Sequence, residues 1–168
     1  MTSVMRSTWP LLLGMLLLMI GNGMQGTLLG IRGGIEGIPT FQMSVVMSGY
    51  FGGFLLGSLV VPGVIKNVGH VRVFAALGSL ISAAVVLYSI QPDWIVWTLL
   101  RVMVGFCFCG VYITAESWLN ASSTNENRGQ ALAAYMITQL LGIVIAQGLL
   151  NIGDPAGYLL FIIPSVLV

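Results

Sequence analysis

The sequence predicts an all-α integral membrane protein, a bundle of six closely spaced helices with the sixth cut short. Three observations carry that reading. Of the 168 residues, 57% are hydrophobic and only 7% are charged. Apolar runs long enough to cross about 30 Å of hydrocarbon, which takes about 20 helical residues, recur along the whole chain. The connections between them are short and carry turn chemistry, as at Gly33–Thr40 with Pro39, Gln91–Asp93 with Pro92, and Asn151–Gly157 with Pro155. A soluble domain carries about 25% charged residues, so a surface this poor in charge has lipid as its natural solvent. The net charge of +1 provides no basic stripe for phosphates, which excludes a nucleic-acid partner. The runs are too long for strands and lack alternation, which excludes a barrel.

The whole chain, 1–168, reads as one transmembrane domain with spans at about 9–31, 41–64, 72–91, 94–117 and 129–150, and an incomplete sixth at 156–168. The first follows Arg6 and stays apolar from Leu11 past Leu29. That exceeds the ~7–15 residues of a signal peptide's core, so the segment is a span. Within it Asn22 and Gln25, three residues apart and flanked by Gly21, Gly23 and Gly26, share one helix face. Carboxamides at membrane depth need partners, so that face looks into the bundle or a wet cavity. Two readings stand side by side: substrate-facing donors and acceptors, or interhelical glue beside glycines that permit close packing.

The second span carries Gly49, Gly53 and Gly57 at intervals of four, with Gly52 beside them. This stripe of small residues suits the close approach of another helix. Ser48 and Tyr50 stand next to it. His70, after the second span, reads as a loop residue with no metal ligands nearby. Between Arg72 and Gln91 the third span offers only Ser79, Ser82, Tyr88 and Ser89 as polar side chains.

Arg101 is the most informative residue of the fourth span. It lies too deep for easy escape to the interface, and a guanidinium stays charged at a cost of roughly 2.5 kcal/mol or more at a helix centre. It therefore faces protein, water or a counter-charge. Binding an anionic group or tuning proton movement is the functional reading, and a fixed bond to neighbouring carbonyls is the structural one. Gly105, Phe108 and Tyr112 continue its stripe, and Glu116 lies about 22 Å further along the axis. Cys107 and Cys109 are alternate helical residues, about 200° apart, so they do not pair and read as small packing residues.

Before the fifth span, Asn120–Gly129 is the longest polar stretch, and Ser123, Thr124 or Asn125 is placed to cap the helix. Along the span itself Tyr135, Gln139, Gly142 and Ala146 share a face, with Gln139 a candidate cavity residue. The sixth run reaches Val168 after about thirteen residues, too few to cross, so a longer parent chain is expected.

Orientation follows from basic residues. Alternating topology puts Arg6, Lys66, Arg72 and Arg128 on one side and Arg32 on the other, which makes the first side, with the N-terminus, cytoplasmic. Trp9 and Trp118 then fall at the inner interface and Trp94, Trp97 and Tyr158 at the outer one. No nucleophile–base pair, zinc motif or phosphate loop is present, so the sequence calls for no enzyme activity, metal or cofactor.

The pattern resembles the N-terminal half of a major facilitator superfamily transporter. The family's loop signature after span two, roughly Gly-x-x-x-Asp-Arg-x-Gly-Arg-Arg, is matched only in part by Pro62–Arg72. Gly69 takes the place of the second glycine, but Lys66 stands at the aspartate and Pro62 at the first glycine. Arg101-Val-Met-Val-Gly105 is similar to the span-four Arg-x-x-x-Gly motif of proton-coupled members. The run Ala115–Asn120, with Asn22-Gly23 and Gly26-Thr27, is similar to a bacterial branch of generic permeases. The glycine-proline motif of drug antiporters is absent, Gly142-Ile143-Val144 standing there instead.

The resemblance implies secondary transport of a small solute, coupled to protons, in the inner membrane, by a protein whose C-terminal half lies beyond this sequence. It places spans one and four at the cavity, two and five beside it, and three and six toward lipid. Asn22, Gln25, Arg101, Tyr112 and Gln139 become candidate cavity residues, and Arg72 and Glu116 candidates for coupling or gating. The alternative is a non-transporting membrane scaffold or assembly protein, for which the same packing features suffice.

Overall fold

A computed structural model describes residues 2–90, 92–151, 154, 157 and 159–167, with side chains from Thr8 onward. Gln91, Pro155, Ala156 and Tyr158, and the Arg6 side chain, lie outside the described residues. Among the described residues the protein is all helix, with no strand: α1 (Thr2–Ile35), α2 (Thr40–Val68), α3 (His70–Ile90), α4 (Trp94–Ser122), α5 (Arg128–Leu149) and α6 (Leu159–Leu167). The first five are long and apolar enough to cross a membrane.

The helices outrun the apolar stretches, because a helix continues through polar residues wherever nothing breaks it. The segment between α2 and α3 shows this best. One residue, Gly69, joins the two helices with φ +91°, a left-handed conformation that suits glycine at a helix end. Its N–H bonds back to the Ile65 carbonyl at 2.9 Å. Much of the expected loop is therefore helical, and His70 opens α3. Gly37, at φ +69°, turns the chain between α1 and α2, after Arg32 has paired with Glu36 at 2.6 Å.

The caps follow local chemistry. Asp93 accepts from the backbone N–H groups of Ile95 (2.8 Å) and Val96 (3.0 Å) at the start of α4, filling two of the donors a helix leaves open. At α5 the cap position falls on Asn127 and not on Ser123, Thr124 or Asn125. The Asn127 side chain turns back to accept from the Thr124 N–H at 2.8 Å, which closes a turn between α4 and α5.

Two parallel helix pairs build the bundle. On α2, a Cβ at Gly49 would stand 3.1 Å from the Thr98 carbonyl oxygen and one at Gly57 2.8 Å from that of Phe106, while at Gly53 it would collide with the Val102 carbonyl. Numbers rise together on both helices, so α2 and α4 run in the same direction. Gly105 of α4 in turn lies against the Tyr50 carbonyl. The pair α1–α5 is built alike: Gly142 sits on Met19 and Leu16, and Gly23 on Ala146 and Ile143. In a lipid solvent, which gives helices little hydrophobic reason to associate, such backbone approach is a main source of packing energy.

α3 packs on α4, and α6 packs on α1 and α3. Exchanging α1, α2, α3 for α4, α5, α6 maps α2–α4 onto α5–α1 and α3–α4 onto α6–α1. This is the contact pattern of a three-plus-three internal repeat. The α3–α6 contact carries a reciprocal clasp: Ser82 Oγ donates to the Ser165 carbonyl at 2.7 Å and Ser165 Oγ to that of Ser82 at 3.1 Å. α1 and α4 are the most enclosed spans, α2 and α5 the most exposed, and α3 lies between. The enclosure of α3 reflects its packing on both α4 and α6.

Candidate functional site

The site forms where α1 and α4 face each other, with side chains from α2 and α3 closing it. Arg101 is held on α4 by the tight α2 seam, and Gly105 one turn on lets α2 come near enough to supply Tyr50 and Met47. The guanidinium carbon sits 5.1 Å from the Tyr50 ring centroid, a cation–π distance, and Nη2 donates to Met47 Sδ at 3.4 Å. Arg101 is 8% exposed. Among the described residues no carboxylate pairs with it, and its Nε has no hydrogen-bond partner. A thioether is a weak acceptor, so this buried charge is only partly compensated.

Gln25 of α1 is fully buried. Its Nε2 donates to the Tyr88 hydroxyl of α3 at 3.2 Å, while its Oε1 has no partner among the described residues. Tyr88 is locked in place by Trp97, whose Nε1 donates to the Tyr88 carbonyl at 3.2 Å. The two rings meet edge-on, 6.4 Å apart. Trp97 is thus a fully buried support and not a residue of the outer aromatic belt.

The other α1 carboxamide, Asn22, lies beside the hydroxyls of Tyr50 and Tyr112. Tyr112 donates to Met19 Sδ at 3.3 Å. Tyr50, Phe54, Phe108 and Tyr112 form an aromatic wall with neighbouring centroids 6.1–6.4 Å apart. Asn22, Gln25, Arg101 and Tyr112 therefore share one region.

Gln139 lies near the buried Tyr135 of α5, which is itself within electrostatic reach of Tyr112. Glu116, exposed at the far end of α4, approaches the same tyrosine. The Tyr135 hydroxyl has no partner among the described residues. Arg72 is exposed near the start of α3. His70, read as a loop residue from sequence, reaches across to α4 and hydrogen-bonds Ser117 at 3.0 Å.

Sequence reading missed Met47 and the role of Tyr88. Nothing local marks a methionine as an arginine's neighbour. Tyr88 carried a faint signal, as the one large polar side chain past the first turn of α3, where the other polar residues are serines.

A family model described as Major Facilitator Superfamily matches residues 11–168. The chain belongs to the major facilitator superfamily. It is 33% identical over 147 residues, 88% of its length, to the uncharacterized MFS-type transporter Ent638_1421 of Enterobacter sp. (strain 638). It is 31% identical over 166 residues, 99% of its length, to the uncharacterized MFS-type transporter YcaD of Salmonella newport (strain SL254) and equally to that of Salmonella typhimurium (strain LT2). It spans 38% and 43% of the length of these relatives. No solved structure matches it. Within the superfamily, each six-helix half is built from two inverted three-helix units. The exchange symmetry of the facilitator's helix contacts is of that form.

Proposed function

We propose that this facilitator chain is the N-terminal half of a secondary transporter that moves a small solute across the inner membrane in exchange for, or together with, protons. The observation that carries the reading is the buried arginine on α4, surrounded by carboxamides and tyrosines of three other helices, in a chain whose relatives bear the name of transporters. Charge at this depth costs several kcal/mol and is retained where it does work. Asn22, Gln25, Arg101 and Tyr112 would line the cavity. Gln139, near Tyr135, would form a second polar patch toward the end of α4 that holds Glu116. Arg72 and Glu116 would act at the cytoplasmic ends in coupling or gating, and the N-terminus would face the cytoplasm.

The exposed apolar faces of α2 and α5, among them Leu55, Leu59, Leu140 and Val144, would meet a C-terminal half, since alternating access needs both. The chain's coverage of about two fifths of its relatives supports the same reading. No residue pattern points to an enzyme.

The test is flux. The complete gene product in proteoliposomes, with an imposed pH gradient and a panel of radiolabelled sugars, amino acids and carboxylates, is expected to move at least one of them, with loss on adding a protonophore. Flux no greater than in protein-free vesicles would favour the scaffold reading. Unchanged flux in Arg101→Ala would remove the arginine from the mechanism.

A further inference from the structure

We infer that the ligand of this site is a small carboxylate with a hydrogen-bond donor on the neighbouring carbon, a hydroxy or amino acid held between Arg101 and Gln25. The inference rests on the transport reading and deepens it. Its ground is the kind of group left unmatched on each side.

Arg101 has a positive charge that no carboxylate among the described residues pairs with, and its Nε–H has no hydrogen-bond partner among them. On its own helix Asp93 is about 12 Å away along the axis and already committed to the α4 cap. Glu116 is about 22 Å away in the other direction. The Tyr50 ring and Met47 sulfur hold the guanidinium in place without neutralising it. An incoming carboxylate supplies the missing charge in a low-dielectric setting, where hydrogen bonds to charged groups are strongest.

Gln25 is the complement. Its Nε2 is used on the Tyr88 hydroxyl, and its Oε1, fully buried, accepts nothing from the described residues. Having accepted from Gln25, the Tyr88 hydroxyl still has its own proton to give. The unmatched set is thus two donors, Arg101 Nε–H and Tyr88 O–H, and one acceptor, Gln25 Oε1. A bare carboxylate uses the donors and leaves the acceptor orphaned. A carboxylate with an adjacent hydroxyl or ammonium satisfies all three. The two sides share one neighbourhood: the Tyr88 hydroxyl that Gln25 bonds is also within electrostatic reach of Arg101.

Trp97, bonded to the Tyr88 carbonyl and edge-on to its ring, is a built-in reporter. In the complete gene product in lipid nanodiscs, with every other tryptophan replaced by phenylalanine, L-lactate, L-alanine and L-malate are titrated against acetate and L-lactamide. At least one of the first three is expected to change Trp97 emission saturably and to bind more tightly than acetate, with lactamide inert. Arg101→Gln is expected to weaken binding by roughly ten- to a hundredfold, the usual worth of a hydrogen bond to a charged group. Gln25→Leu is expected to lower the best ligand to acetate's level. Equal binding of lactamide, an unaffected Arg101→Gln variant, or no response to any of the three acids overturns the inference. Flux of a neutral solute without carboxylate binding also overturns it while leaving transport intact. Carboxylate binding without flux of any solute leaves the site standing and removes the transporter.

Discussion

Gly53 lies against the backbone carbonyl of Val102, with no room for a side chain between them. Gly53→Val is therefore expected to force α2 off α4 and cost at least about 2 kcal/mol, read as a lowered melting temperature in detergent. Gly52→Ala, where a Cβ meets nothing within 4 Å, is expected to be neutral or to stabilise by up to about 1 kcal/mol through helix propensity. Equal effects at the two positions would mean the seam is not packed as described.

The second seam makes a parallel prediction. Gly142→Val would drive a branched side chain into Met19 and the Leu16 carbonyl and separate α1 from α5. The expected cost is about 1–3 kcal/mol, read as a lowered melting temperature in detergent, with Gly148→Ala, where a Cβ meets nothing within 4 Å, as the neutral control.

At the start of α4, Asp93→Ala removes the acceptor for two backbone donors. About 1 kcal/mol of stability is expected to go with it, and Asp93→Asn should restore most of that, since asparagine caps nearly as well. Thermal melts of the three proteins at one pH decide it.

His70 and Ser117 link α3 to α4 at 3.0 Å. A double-mutant cycle of His70→Ala and Ser117→Ala is expected to show a coupling of about 0.5–1.5 kcal/mol. Additive effects would mean that the two side chains do not meet.

Cys107 and Cys109 are both buried and free. Neither is expected to react with N-ethylmaleimide in the folded protein, and both should react after denaturation in detergent. Intact-mass spectrometry counts the adducts, and a disulfide would show as adducts missing even then.

Much of this architecture was legible in the residue pattern because lipid imposes simple rules. Apolar length marks a crossing, a glycine every fourth residue marks a close neighbour, and an arginine at depth marks a protein-facing side. What the pattern hid is pairing at a distance. Gln25 meets Tyr88 across 63 residues, and no local feature of either names the other. Trp97 read as a belt residue because an indole near a span end suits an interface and a core equally well. His70 read as loop because the preceding residues are polar, yet one glycine is enough to turn the chain and start the next helix.

The seam between α1 and α5 also bears on how the protein is made. Gln147 reaches the Gly23 carbonyl across 124 residues, and at about 5–20 residues per second of synthesis the first helix waits roughly 6–25 s for its main neighbour. During that interval its carboxamide face is covered only piecemeal. Asn22 can first be met by Tyr50, Gln25 next by Tyr88, Asn22 again by Tyr112, and only last Gly23 by Ala146. The order in which helices leave the translocon is thus the order in which the polar face is sheltered.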